Sequence, residues 1–203
     1  YIADRIYILI SYESPLFYLN VNNWFKNKIS DFDYYKLELK IYLNFMTKAF
    51  GRTEFQIDGG KVFGDLPNFL LYNGHGSFRP FNVDISGSFS TMRMNEFLSD
   101  EFVSLFFRQD FGSLIINTEK FKPKFILVNN IGFGRLNKPE LHNGLEYSTM
   151  DKGYFEIGMI INNIIKAYQI FGFGFGLYYR YGPYTFSNIS DNFAYKLSLT
   201  LEL

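Results

Sequence analysis

Between positions 93 and 110 the chain gathers six ionisable side chains: Arg93, Glu96, Asp100, Glu101, Arg108 and Asp110. Two carboxylates a few residues apart, here Glu96 and Asp100, are the residue types a hydrolase uses as general acid and base. Any acidic loop offers as much, so the spacing does not select that chemistry. The group straddles the start of a long alternating segment, and two other readings fit that place. Either the six form a polar network that orders the preceding segment 64–100, or they form a solvated rim whose ion pairs contribute little each. The rim is the plainer expectation.

The remaining motifs are weaker. Asp110-Phe111-Gly112 spells a kinase magnesium motif, but no phosphate loop, strand lysine or catalytic loop accompanies it. Gly172, Gly174 and Gly176 in FGFGFG are no dinucleotide fingerprint, because strict alternation replaces the required spacing and no helical pattern follows. His75 and His142, the only histidines, have no ligand partners at metal spacing and read as loop histidines. The sequence thus carries no candidate catalytic, cofactor or metal site, and none is expected.

Composition says what must position these groups. The 203 residues carry 20 basic and 20 acidic side chains, so charge makes no case for nucleic acid. Cysteine is absent, which removes disulfides, thiolate zinc sites and cysteine nucleophiles. There are 25 Phe and 16 Tyr, while alanine occurs only at 3, 49, 167 and 194, a balance that favours strand over helix. No apolar run approaches the roughly 18–20 residues of a membrane helix. Because Tyr1 is no natural start, the chain is expected to be a processed or truncated piece.

Alternation predicts eight strands, at 3–13, 33–49, 53–63, 101–117, 123–135, 152–163, 168–181 and 193–203. The connections between them alternate long and short, as in an up-and-down barrel with tight turns on one side and long loops on the other. The segment 78–89 is a further strand candidate that would disturb the count. Many of these segments are long enough to cross a hydrocarbon layer when tilted, which takes about 9–11 residues. Aromatic residues gather near strand ends (Tyr178, Tyr179, Tyr181, Tyr184, Phe186), where a membrane–water interface favours amphipathic rings. The expected fold is therefore an all-β, antiparallel transmembrane β-barrel, one domain over 1–203, with about eight strands here that belong to a larger barrel.

On that reading Phe171, Phe173, Phe175, Leu177, Tyr179 and Tyr181 form a lipid-facing belt. The intervening glycines face the lumen and leave room for bulk arriving from elsewhere. Tyr154 is expected in the aromatic belt, Lys196 and Glu202 in a solvated lumen. The amphipathic last strand, FAYKLSLTLEL, suits recognition by barrel-assembly machinery. The alternative is a soluble, aromatic-rich sheet that binds a glycan or lipid, its apolar face inside.

Four ordered motifs carry a resemblance: GKVFGDLP (60–67), TMRMNEFLSDEFVSLFFRQDFGSLIIN (91–117), MDKGYFEIGMIINNI (150–164) and the ending YYRYGPY…NFAYKLSLTLEL. Together they resemble the C-terminal barrel of large, uncharacterised outer-membrane proteins of Bacteroidota that carry an N-terminal carboxypeptidase-regulatory-like domain. The resemblance implies a bacterial outer-membrane location, membrane lipids and other envelope proteins as surroundings, and no catalytic activity to import.

Overall fold

Where large apolar residues alternate with small or polar ones, the chain is extended. The computed structural model describes residues 4–9, 15–24, 33–64, 66–79, 81–119, 121–142, 144, 146–167 and 170–201. Its strands are β1 (Asp4–Leu9), β2 (Leu16–Trp24), β3 (Tyr34–Thr47), β4 (Gly51–Phe63), β5 (Phe81–Val83), β6 (Glu101–Asp110), β7 (Lys124–Arg135), β8 (Tyr154–Ala167), β9 (Phe171–Tyr181) and β10 (Phe193–Leu201). Among the described residues there is no α-helix, only short 3-10 turns at Asn68–Leu70, Pro139–His142 and Ile189–Asn192.

All ten strands form one sheet, in the order β1-β2-β3-β4-β6-β7-β8-β9-β10-β5. Neighbours are antiparallel up to β10, and β5 then lies parallel on the outer edge of β10. β1 and β5 are the two edges, so among the described residues the sheet is open rather than closed on itself.

Among the described residues the strand count is ten, not the expected eight. β2 lies inside what reads as a loop at 14–33, because Asn23 ends the apolar series of Phe17, Leu19 and Val21 and asparagine, a poor strand former, fills 20 and 22. Its pairing nevertheless matches Phe17, Leu19 and Val21 to Ile41, Leu39 and Leu37. β5 arises within 78–89 and does not disturb the meander, since it adds from inside a long connection. β6 stops at Asp110 instead of 117: the Asp110 carboxylate accepts the Gly112 N–H at 2.7 Å, and Gly112, at φ 57°, turns the chain away. β8 runs past 163 through a register shift between Ile161 and Ile165. Glu202 lies outside the described residues.

The connections 64–100, 136–153 and 182–192 leave one rim of the sheet, and 48–50 and 111–123 leave the other. Segment 64–100 lies across one face. It places Phe89, Met92 and Phe97 against Phe106, Met150 and Tyr154, and Leu66, Leu71 and Tyr72 against Val62 and Leu136. Fitting these rings beneath the segment takes small residues on the sheet. A Cβ at Gly132 would meet the Phe89 ring at 2.8 Å. Gly172 and Gly174 make room instead for Asn163 and Asn162 at the β8 irregularity. That is the bulk the FGFGFG glycines accommodate.

The two faces differ in an unusual sense. The covered face buries Asp58, Ser104, Asn130, Glu156, Arg180, Lys196 and Ser198. The opposite face exposes Leu39, Val103, Phe133, Met159, Phe173 and Leu199, the last at 57%. On this uncovered face, rings concentrate toward both strand ends. Tyr35, Phe63, Phe155, Tyr181 and Phe193 stand by the long-loop rim; Phe45, Phe55, Phe107, Phe125 and Phe171 stand nearer the other. Between them Ile41, Ile57, Ile131, Ile157 and Met159 are aliphatic, with Asn129, Phe175 and Tyr195 as exceptions. The rings meet across strands, Phe55 on Phe107 at 5.0 Å and Phe155 on Tyr181 at 5.6 Å between centroids.

Candidate functional site

Segment 64–100 has little regular structure of its own, so its buried backbone needs partners from the sheet. Glu156, on the covered face of β8, supplies two of them. Its carboxylate accepts the backbone N–H groups of Ser90 (3.1 Å) and Thr91 (2.6 Å), the Thr91 hydroxyl (2.6 Å) and the Asn130 amide (2.8 Å). Four donors fill the positions a carboxylate offers.

Arg180, on the neighbouring strand β9 directly opposite Glu156, is 1% exposed and bonds on every side. Both terminal nitrogens donate to Glu96 at 2.8 Å, and they also reach the carbonyls of Thr91 (3.0 Å) and Tyr184 (3.1 Å). Its Nε donates to the Tyr154 hydroxyl at 2.8 Å, and the guanidinium lies over the Tyr154 and Phe186 rings. This is the planar, forked recognition for which arginine is suited.

Further along, Arg108 donates to Asp84 at 2.5 Å, and the Tyr178 hydroxyl donates to the same carboxylate. Lys196 donates to the Ser77 carbonyl at 2.7 Å. These contacts dock β5 on β10, where Phe81 and Val83 continue the apolar stripe of Tyr195 and Leu197. At the other end the Tyr72 hydroxyl donates to the Leu37 carbonyl at 3.0 Å; burial pushes this phenol up, so it keeps its proton.

The six charged residues of 93–110 do not form one cluster. Glu96 and Arg108 belong to the buried contact, and Arg93 joins through its N–H to Glu96 (2.8 Å) while its own side chain is exposed over Phe186. Asp100 instead accepts from Asn137 at 2.8 and 3.0 Å, Glu101 pairs with Lys61 at 2.8 Å, and Asp110 closes its own turn. The plainer expectation of a rim therefore describes three of the six, and the ordering network describes the others.

Other placements differ from expectation. Tyr154 and Tyr178 face the covered side and are fully buried, because Arg180 and Asp84 need their hydroxyls. Lys196, expected in a solvated lumen, lies buried on the covered face, where it donates to the Ser77 carbonyl instead of to water. Phe171, Phe173 and Phe175 stand exposed on the uncovered face, and Leu177, Tyr179 and Tyr181 on the same face are half-buried. Among the described residues no three His, Asp or Glu side chains converge to hold a metal ion.

Glu156 and Arg180 are the residues sequence reasoning missed. Their signal was a charge at a covered-face position of a strand otherwise apolar or glycine-rich, read in isolation from its partner 65 or 84 positions away. Both carboxylates at the centre, Glu96 and Glu156, are occupied by donors, so the arrangement holds a segment in place rather than abstracting a proton. No protein family, curated protein or solved structure matches the chain.

Proposed function

We propose that the chain is wall and internal plug of an integral outer-membrane β-barrel, with a structural, transport or envelope-assembly role and no catalysis. One observation carries the reading: the sheet buries Asp58, Glu156, Arg180 and Lys196 on one face and exposes Leu, Ile and Phe on the other. Contiguous apolar surface of this kind marks a face that meets something other than water. A membrane barrel has an apolar outer band flanked by aromatic girdles, and the ring–aliphatic–ring order of the uncovered face suits that environment.

Segment 64–100 would then fill the lumen, with Glu156 and Arg180 fastening it. The open edge of β1 is where further strands of a larger barrel would add. The motifs that resemble the Bacteroidota family are also those that make the contact, supplying Thr91, Glu96, Met150, Tyr154, Glu156, Tyr178 and Arg180. Membrane lipids would be the lateral surroundings, and barrel-assembly machinery a partner during biogenesis.

The test is partition. The chain expressed behind an added export signal should stay in the envelope pellet after alkaline carbonate and should need detergent for solubility. Release by carbonate, followed by monodisperse behaviour in plain buffer, would replace this reading with a soluble ligand-binding sheet.

A further inference from the structure

Beside the docked segment lies a cavity of about 630 Å³ that the contacts above leave unused. Such a volume falls within the about 300–1,000 Å³ typical of small-molecule clefts. Asn20, Glu38, Lys40, Asp58 and His75 supply its polar lining, and Tyr18 and Phe102 its rings. They come from β2, β3, β4, β6 and the docked segment, so the cavity exists only once the segment is seated.

Asp58 is 3% exposed. Its Oδ2 accepts from Gln56 Nε2 at 2.9 Å and faces Lys40 at 3.4 Å and His75 Nδ1 at 3.6 Å. Its Oδ1 has no hydrogen-bond partner, and neither has Asn20 Oδ1 nor His75 Nδ1, both buried atoms of the same lining. The Asn20 amide nitrogen is already committed to Glu38 at 2.6 Å, which fixes its oxygen as the free end. Buried polar atoms are nearly always paired, and three orphans on one cavity point to a missing partner.

The chemistry of that partner follows from the set. Two of the three orphans are acceptors, and burial holds His75 below the usual imidazole range, against the pull of Asp58, so it enters as a neutral ring. The ligand must therefore donate several hydrogen bonds. An anion would meet Glu38 and Asp58, and an ammonium would meet Lys40, a like charge close by. Neutral hydroxyls avoid both. The Phe102 ring, perpendicular to His75 at 5.4 Å and tilted on Tyr72 at 4.5 Å, lines the cavity together with Tyr18 and supplies apolar surface for a C–H face.

We propose that this cavity binds a neutral carbohydrate, whose hydroxyls donate to Asp58 and Asn20 while its ring lies along Phe102. The site belongs to the covered face and stands whether lipid or water meets the other face. The test is calorimetric titration of the purified full chain with glucose, maltose, lactose, cellobiose and N,N′-diacetylchitobiose, with putrescine as the cationic comparison. At least one sugar should bind saturably. Asp58→Asn should weaken it about tenfold or more, the scale of one lost charge-assisted hydrogen bond. Asn20→Leu, at a half-buried position, should do the same and serves if Asp58→Asn fails to fold. Glu101→Gln, in the rim pair outside the cavity, should bind as the unaltered chain does. Saturation by none of the sugars, preference for putrescine, or undiminished sugar binding by Asn20→Leu would each overturn the proposal.

Discussion

Replacing Arg180 by leucine should lower stability by about 3–5 kcal/mol, the usual loss when one member of a buried ion pair is removed. Leucine fills part of the volume but donates nothing to Glu96, to the Thr91 and Tyr184 carbonyls or to the Tyr154 hydroxyl. The buried end of segment 64–100 then has carbonyls without donors, and Glu96 has lost its counter-charge. Urea unfolding reads the loss. Chymotrypsin, mapped by mass spectrometry, should newly cut after Phe89 and Phe97, which are buried while the segment is seated. Adding Glu96→Gln to the variant should cost less than it does alone, because the two groups act as one contact. A variant as stable and as protected as the parent would show that the segment is held by its apolar rings.

Phe175→Lys should be almost as damaging in a bilayer, by about 2–4 kcal/mol, the cost of a lysine facing lipid near mid-depth. Phe175 sits in the middle of β9 on the uncovered face, opposite Ile161 and Leu197 and 6.0 Å from the Tyr195 ring. If water met that face, the same change would remove one exposed ring contact and improve solubility. The sign of the effect therefore separates the environments. Asn117→Lys, at an exposed position between β6 and β7, is the control and should shift stability by no more than about 0.5 kcal/mol. Unfolding in lipid vesicles compares them.

Much of the sheet is legible because its strands are long and keep a strict two-residue period. β9 and β10 pair as alternation requires, Phe173 beside Leu199 and Gly174 beside Ser198. Legibility fails where that period is diluted, as by the asparagines of β2, or cut short, as in the three residues of β5. The site is harder still. Alternation states which way Glu156, Arg180 and Lys196 point, but not what meets them. Their partners Thr91, Glu96 and Ser77 belong to a segment with no period, brought over the sheet only by folding. Grouping charges by nearness in sequence likewise joined Glu96 to Asp100, although their side chains bond to Arg180 and Asn137 respectively.

Spin labels measure the orientation of the two faces most directly, and the absence of cysteine makes single-site labelling clean. Nitroxides would be placed one at a time at Leu39, Phe173 and Leu199, and at Ser104 and Ser198, in vesicle-reconstituted protein. The first three should collide readily with oxygen and poorly with a water-soluble nickel chelate, and the serine positions should be shielded from both. Free access of the nickel chelate to positions 39, 173 and 199 would mean that water, not lipid, covers the apolar face.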